Sequence, residues 1–147
     1  MSIQKNAINV SLASSLIILG YYLVNILQMI QDGGLISERV FRLWGVVIIA
    51  SIIMNIAGNI LAAIGINIVH AVKTNSSEEV RLLEDERDRM IQLKGTRVAY
   101  IASSMGLLAA MLAFVWGQSG LVMFSLIIFT GLVAELIGDL AQLYYYR

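Results

Sequence analysis

Four long runs of apolar side chains, separated by short polar segments, organise the chain. They cover residues 8–30, 43–72, 98–116 and 121–146. A bilayer's hydrocarbon core is about 30 Å thick and takes roughly 20 apolar residues of helix to cross. Each run is therefore long enough for one transmembrane span. The second exceeds what a span requires, and its end, with Asn67 and His70, is expected to continue as helix into the interface. His70, near Lys73 at that edge, reads as a snorkelling interface residue, with a ligand or pH-sensor role as the alternative. The first run follows Lys5 alone, is too long for a signal h-region, and has no small-residue cleavage site after it. It reads as a retained transmembrane helix. Between the second and third runs, Ser76 and Glu79 have capping-box spacing, which predicts a charged helix over residues 76–94. The whole pattern predicts a single all-α domain, an integral membrane bundle of four transmembrane helices.

Composition sharpens this picture. Of 147 residues, 59% are hydrophobic and 14% charged, and mean hydropathy is +0.80. Soluble domains carry about 25% charged residues, so a soluble globular enzyme is excluded. The absence of proline suits long unbroken helices. Ten basic residues balance ten acidic ones, so net charge argues for no nucleic acid and no acidic partner. Without cysteine there is no disulfide, cysteine metal site or thiol chemistry, and one histidine cannot make a multi-histidine metal site. No nucleophile–base–orienter set can be assembled, and no phosphate-binding or dinucleotide fingerprint is present. The expectation is a non-enzyme with no cofactor and no metal.

Charge in the connections predicts orientation. Lys5, Lys73, Arg81, Arg87, Arg89, Lys94, Arg97 and Arg147 fall on one side of the four spans, and Arg39 and Arg42 on the other. The excess of basic residues marks the cytoplasmic side. Both termini and the middle segment are thus expected in the cytoplasm of a multi-pass cell-membrane protein. Trp44 and Trp116 would then lie at the outer interface and Tyr144, Tyr145 and Tyr146 at the inner one.

The fourth run can be laid on the second with an offset of 80. Ser51 meets Gly131, Asn55 meets Glu135, Gly58 meets Gly138, Asn59 meets Asp139 and Ala62 meets Gln142. Each set lies along one helical stripe. The third run echoes the first, with Leu12-Ala13-Ser14-Ser15 resembling Ile101-Ala102-Ser103-Ser104. The pattern suggests two tandem copies of a two-helix hairpin, related by an axis along the membrane normal. The alternative is chance similarity between small, apolar-biased segments.

Candidate chemistry concentrates on the fourth run. Glu135 and Asp139 are the acids well inside a predicted span, where a charge costs at least about 2.5–3.5 kcal/mol. They are expected to face protein or water, on the stripe that carries Gly131, Gly138 and Gln142. Counting from the short turn at Gln118 puts Arg97 at the level of Asp139 and Ser103 at that of Glu135. An Arg97–Asp139 ion pair is predicted at the cytoplasmic edge, while the deeper Glu135 is expected to hold a proton. Asn55 and Asn59 would be neutral partners from the matching face of the second span. This set reads as a proton or cation site, or else as a polar clasp that fixes packing. Ala102, Gly106 and Ala110 mark a close-packing face on the third run.

The polar segment offers a second candidate. Glu84, Asp85, Glu86, Arg87, Asp88 and Arg89 form a dense mixed-charge run, with Arg81–Asp85 and Asp85–Arg89 spaced as helical pairs. Val80, Leu83, Met90 and Ile91 form a partial apolar stripe that could pack on the membrane, a second copy or a cytoplasmic protein. The acids lack the glycine and spacing of a calcium loop. Gly95 is expected to let this helix bend before the membrane.

Asp85-Glu86-Arg87-Asp88, followed by Ile91, Leu93-Lys94 and Arg97-Val98-Ala99-Tyr100, resembles the signature of DUF2178-type membrane proteins of bacteria and archaea. Ala134-Glu135-Leu136 through Tyr144-Tyr145-Tyr146-Arg147 is similar to that group's closing helix. The resemblance covers the second half of the chain. It implies a membrane topology and a cytoplasmic regulatory partner near residues 84–97, and no defined activity. Three readings follow: a small proton- or cation-linked transport or channel protein, a membrane-anchored interaction protein acting through residues 76–97, or a lipid-binding or purely structural role. In each case the lipid bilayer surrounds it, and a homo-oligomer, most simply a dimer, is expected.

Overall fold

The computed structural model describes residues 3–73 and 86–146, without the side chains at 3–6, 55, 58, 59, 61–73 and 86. Four α-helices follow in order: α1 (Ile3–Gln31), α2 (Ser37–Lys73), α3 (Glu86–Val115) and α4 (Gly120–Tyr145). Three helices are long and apolar enough to cross a membrane, over Ala7–Gln31, Arg87–Val115 and Gly120–Tyr145. The chain is thus an all-helical protein of membrane character.

The two described turns stop their helices in the same way. Gly33 and Gly117 have φ of 111° and 92°, a left-handed conformation that glycine reaches at no steric cost. Beyond each, an amide reaches back five residues. Gly34 N–H donates to Met29 O at 3.0 Å, and Gln118 N–H to Ala113 O at 3.2 Å. These are the closing bonds of a Schellman motif. Ser119 then caps α4, its hydroxyl accepting from Val122 N–H at 3.4 Å.

Helix α4 is the common partner. It packs along α3 and along α1 and touches α2, while α1 also packs along α2. On α1 the buried residues Ile8, Ser15, Tyr22 and Met29 recur every seven positions, the spacing of a left-handed interhelical seam. Val40 and Val47 on α2, and Ser125, Leu132 and Asp139 on α4, repeat it. One apolar cluster joins these seams: Ile18, Tyr22 and Met29, Val40, Leu43 and Val47, and Leu132. Phe41 and Trp44 close its far end, their rings 5.0 and 5.5 Å from that of Phe124.

Helix α3 contributes nothing to that cluster and is held by close approach. A Cβ at Gly138 would lie 2.8 Å from Ala99 Cβ and 3.3 Å from Gly95 O. One at Gly106 would meet Thr130, and one at Gly95 would meet Gln142. With Ala110, 1% exposed, these residues line α3's inner face, so Gly106 and Ala110 of the expected close-packing stripe meet α4 of the same chain. Many of the other described apolar side chains point outward, among them Ile17, Ile53, Leu108 and Val115, as a lipid surrounding favours.

Helix α3 takes in the described end of the expected charged segment. α3 runs unbroken from Glu86 through Gly95 to Val115, and Gly95 lies where a side chain would meet Gln142. Residues 76–85 lie outside the described residues, with both expected charge pairs. Among the described residues, which leave out most side chains in the second half of α2, the α1–α4 packing has no comparable α2–α3 counterpart.

Candidate functional site

Successive residues of an α-helix lie about 100° apart, and this splits the polar stripe of α4 between two neighbours. Gly138 and Gln142 face α3. Asp139, a third of a turn on from Gly138, faces α1. Its carboxylate is buried, 9% exposed, and its Oδ2 accepts from the Ser11 hydroxyl at 2.8 Å. The α1–α4 seam is antiparallel, because Tyr22 Oη donates to Ser125 O at 2.7 Å further along. That register brings the buried Ser15 to the level of Glu135, which is half-buried and also engaged in a polar interaction. Two carboxylates one turn apart on α4 thus lie opposite two hydroxyls one turn apart on α1. Asp139 is six residues from the end of α4, about 9 Å along the axis, so the site lies near that end of the span.

The other predicted members fall elsewhere. Asp139 is held by Ser11, and the predicted Arg97–Asp139 pair is not found between these two described residues. Arg97 is exposed. It sits two residues from Gly95, about 200° round the helix, and points away once Gly95 is turned to α4. Ser103 is also exposed. A Cβ at Gly131 would meet nothing within 4 Å, so this glycine is not required there by close helix approach. The side chains of Asn55, Asn59 and His70 lie outside the described residues.

The start of α3 is stitched to the end of α4. Tyr146 Oη donates to Asp88 Oδ1 at 2.8 Å, Lys94 Nζ lies 5.3 Å from the centre of the Tyr145 ring, and Ile91 is buried. Arg87 and Arg89 are exposed. Glu84 and Asp85 lie outside the described residues, as does the side chain of Glu86. Ser11 and Tyr146 are the functional-site neighbours that sequence reasoning missed. A serine near a span's edge and a tyrosine in an aromatic belt carry no signal of their partner.

No family model, curated protein or solved structure matches the chain. Among the described residues no group of three or more His, Asp or Glu could hold a metal ion. Two cavities open at the opposite, glycine-turn end. One, about 470 Å³, is lined by residues including Tyr22, Ile26, Ser125 and Phe129, and the Ser125 hydroxyl has no partner among the described residues. The other, about 250 Å³, includes Asn25, Asp32, Arg39 and Arg42.

Proposed function

We propose that this chain is a four-span membrane protein, with residues 43–72 as the fourth span and both termini cytoplasmic, that binds a proton or small monovalent cation at Asp139 and Glu135. It uses that site in proton- or cation-linked transport. The observation that carries the reading is the Ser11–Asp139 hydrogen bond. A buried carboxylate in a span is costly unless its charge is balanced. The hydroxyl that holds Asp139 is neutral, so it orients the carboxylate without neutralising it. A bound proton or cation supplies the balance, and its exchange is the chemistry of a transport site. A purely structural clasp would be served by a basic partner, and Arg97 points elsewhere. The second carboxylate, Glu135, gives the ion a next position one turn deeper.

The test is flux of H⁺, Na⁺ and K⁺ in vesicles carrying the purified protein. Asp139→Asn and Glu135→Gln keep the shape and hydrogen-bonding capacity of the side chains and remove the titrating group. Each is expected to abolish flux of one of these ions while helix content by circular dichroism is unchanged. Wild-type flux that neither variant alters refutes the reading, as does wild-type protein passing none of the three ions.

A further inference from the structure

The first three turns of α3 separate charge by face. Asp88 is turned inward onto Tyr146, and Ile91 and Gly95 share that side. Arg87, Arg89, Lys94 and Arg97 are all exposed, with Met90 57% and Leu93 60% exposed between them. The one acid of this stretch whose side chain is described, Asp88, is part-buried and bound to Tyr146, and the described side chains of the outward face include four cations around two apolar residues. Val98–Val115 alone spans about 27 Å, close to the hydrocarbon thickness. Arg97 and Lys94 then stand at headgroup level. Arg89 and Arg87 stand further out, and long side chains can bend back to the interface.

We propose that this face binds the anionic headgroups of membrane phospholipids. The argument is charge complementarity. Lys and Arg clustered beside the cytoplasmic end of a span attract anionic lipid, and no acid among the described side chains neutralises these four. Arg39 and Arg42, at the other end, differ: each is paired with its own carboxylate. Lys94, leaning over the Tyr145 ring, is held beside an aromatic of the kind that sits at headgroup level. Met90 and Leu93 give the face apolar contact at the acyl boundary. The proposal is independent of the carboxylate site.

The experiment measures association of spin-labelled phosphatidylglycerol and phosphatidylcholine with the full chain in phosphatidylcholine vesicles. The expected result is preference for phosphatidylglycerol that weakens with salt. It should fall about fivefold for each of Arg97→Gln and Lys94→Gln, the equivalent of the contribution of one basic residue near the surface. Arg89→Gln should lower it less, and Arg39→Gln together with Arg42→Gln not at all. Circular dichroism of each variant checks the fold. Equal association of both lipids overturns the proposal. So does a preference that survives Arg97→Gln and Lys94→Gln combined, or one lost as much in the Arg39/Arg42 variant.

Discussion

Replacing Gly138 by alanine tests the close packing of α3 on α4 with the smallest possible change. The added Cβ would sit 2.8 Å from Ala99 Cβ and 3.3 Å from Gly95 O. Carbon atoms prefer about 3.5–4.0 Å, so the first contact is short by about 1 Å. Neither obstacle can rotate away, because one is a methyl fixed to the backbone and the other a carbonyl. The helices must part, which also loosens Gly106 from Thr130 and Gly95 from Gln142. Overpacking of this kind costs about 1–3 kcal/mol, while alanine regains up to about 1 kcal/mol in helix propensity. With that full gain, Gly138→Ala is expected to lose about 0–2 kcal/mol. Ala99→Gly removes the nearer obstacle, so the double variant should be more stable than the sum of the single changes by about 1 kcal/mol or more. Reversible unfolding by SDS titration in mixed micelles, followed by circular dichroism, gives all four free energies. Additivity within about 0.5 kcal/mol would show that these backbones do not approach as described.

Three further outcomes follow from individual contacts. Tyr22→Phe removes the buried bond to Ser125 O and should lower unfolding free energy by about 0.5–1.5 kcal/mol in the same titration. Tyr146→Phe frees Asp88 and should speed amide exchange at the start of α3, over residues 86–92, while the middle of α4 is unchanged. Hydrogen–deuterium exchange read by mass spectrometry checks this, and equal protection in both proteins refutes the stitch. Arg39→Ala breaks an ion pair whose side chains are 54% and 66% exposed. It should change stability by less than about 0.5 kcal/mol.

Length, hydropathy and turn chemistry were legible in the sequence. Apolar runs gave the helical elements, and Gly33 and Gly117 sit where the chain needs left-handed backbone. Rotation of each helix about its axis was not legible. A span that is apolar all round offers no amphipathic stripe to orient it, so facing residues had to be inferred from height alone. Height placed Arg97 beside Asp139, but Asp139 and Gly138 differ by about 100°, and Gly138 took the α3 side. One clue was present: Gly95, Ala99, Ala102, Gly106 and Ala110 form a continuous small-residue stripe, and its extension below Ala102 would have turned Arg97 outward. Ser11 could not be found in this way, because nothing in α1 or α4 alone specifies their mutual register.

The joint partner of the bundle is also the last of the four helices to leave the ribosome. Helices α1 and α2 can pair as they emerge, whereas the described residues of α3 pack along α4, which follows it out. On this order the α3–α4 seam is the last to close.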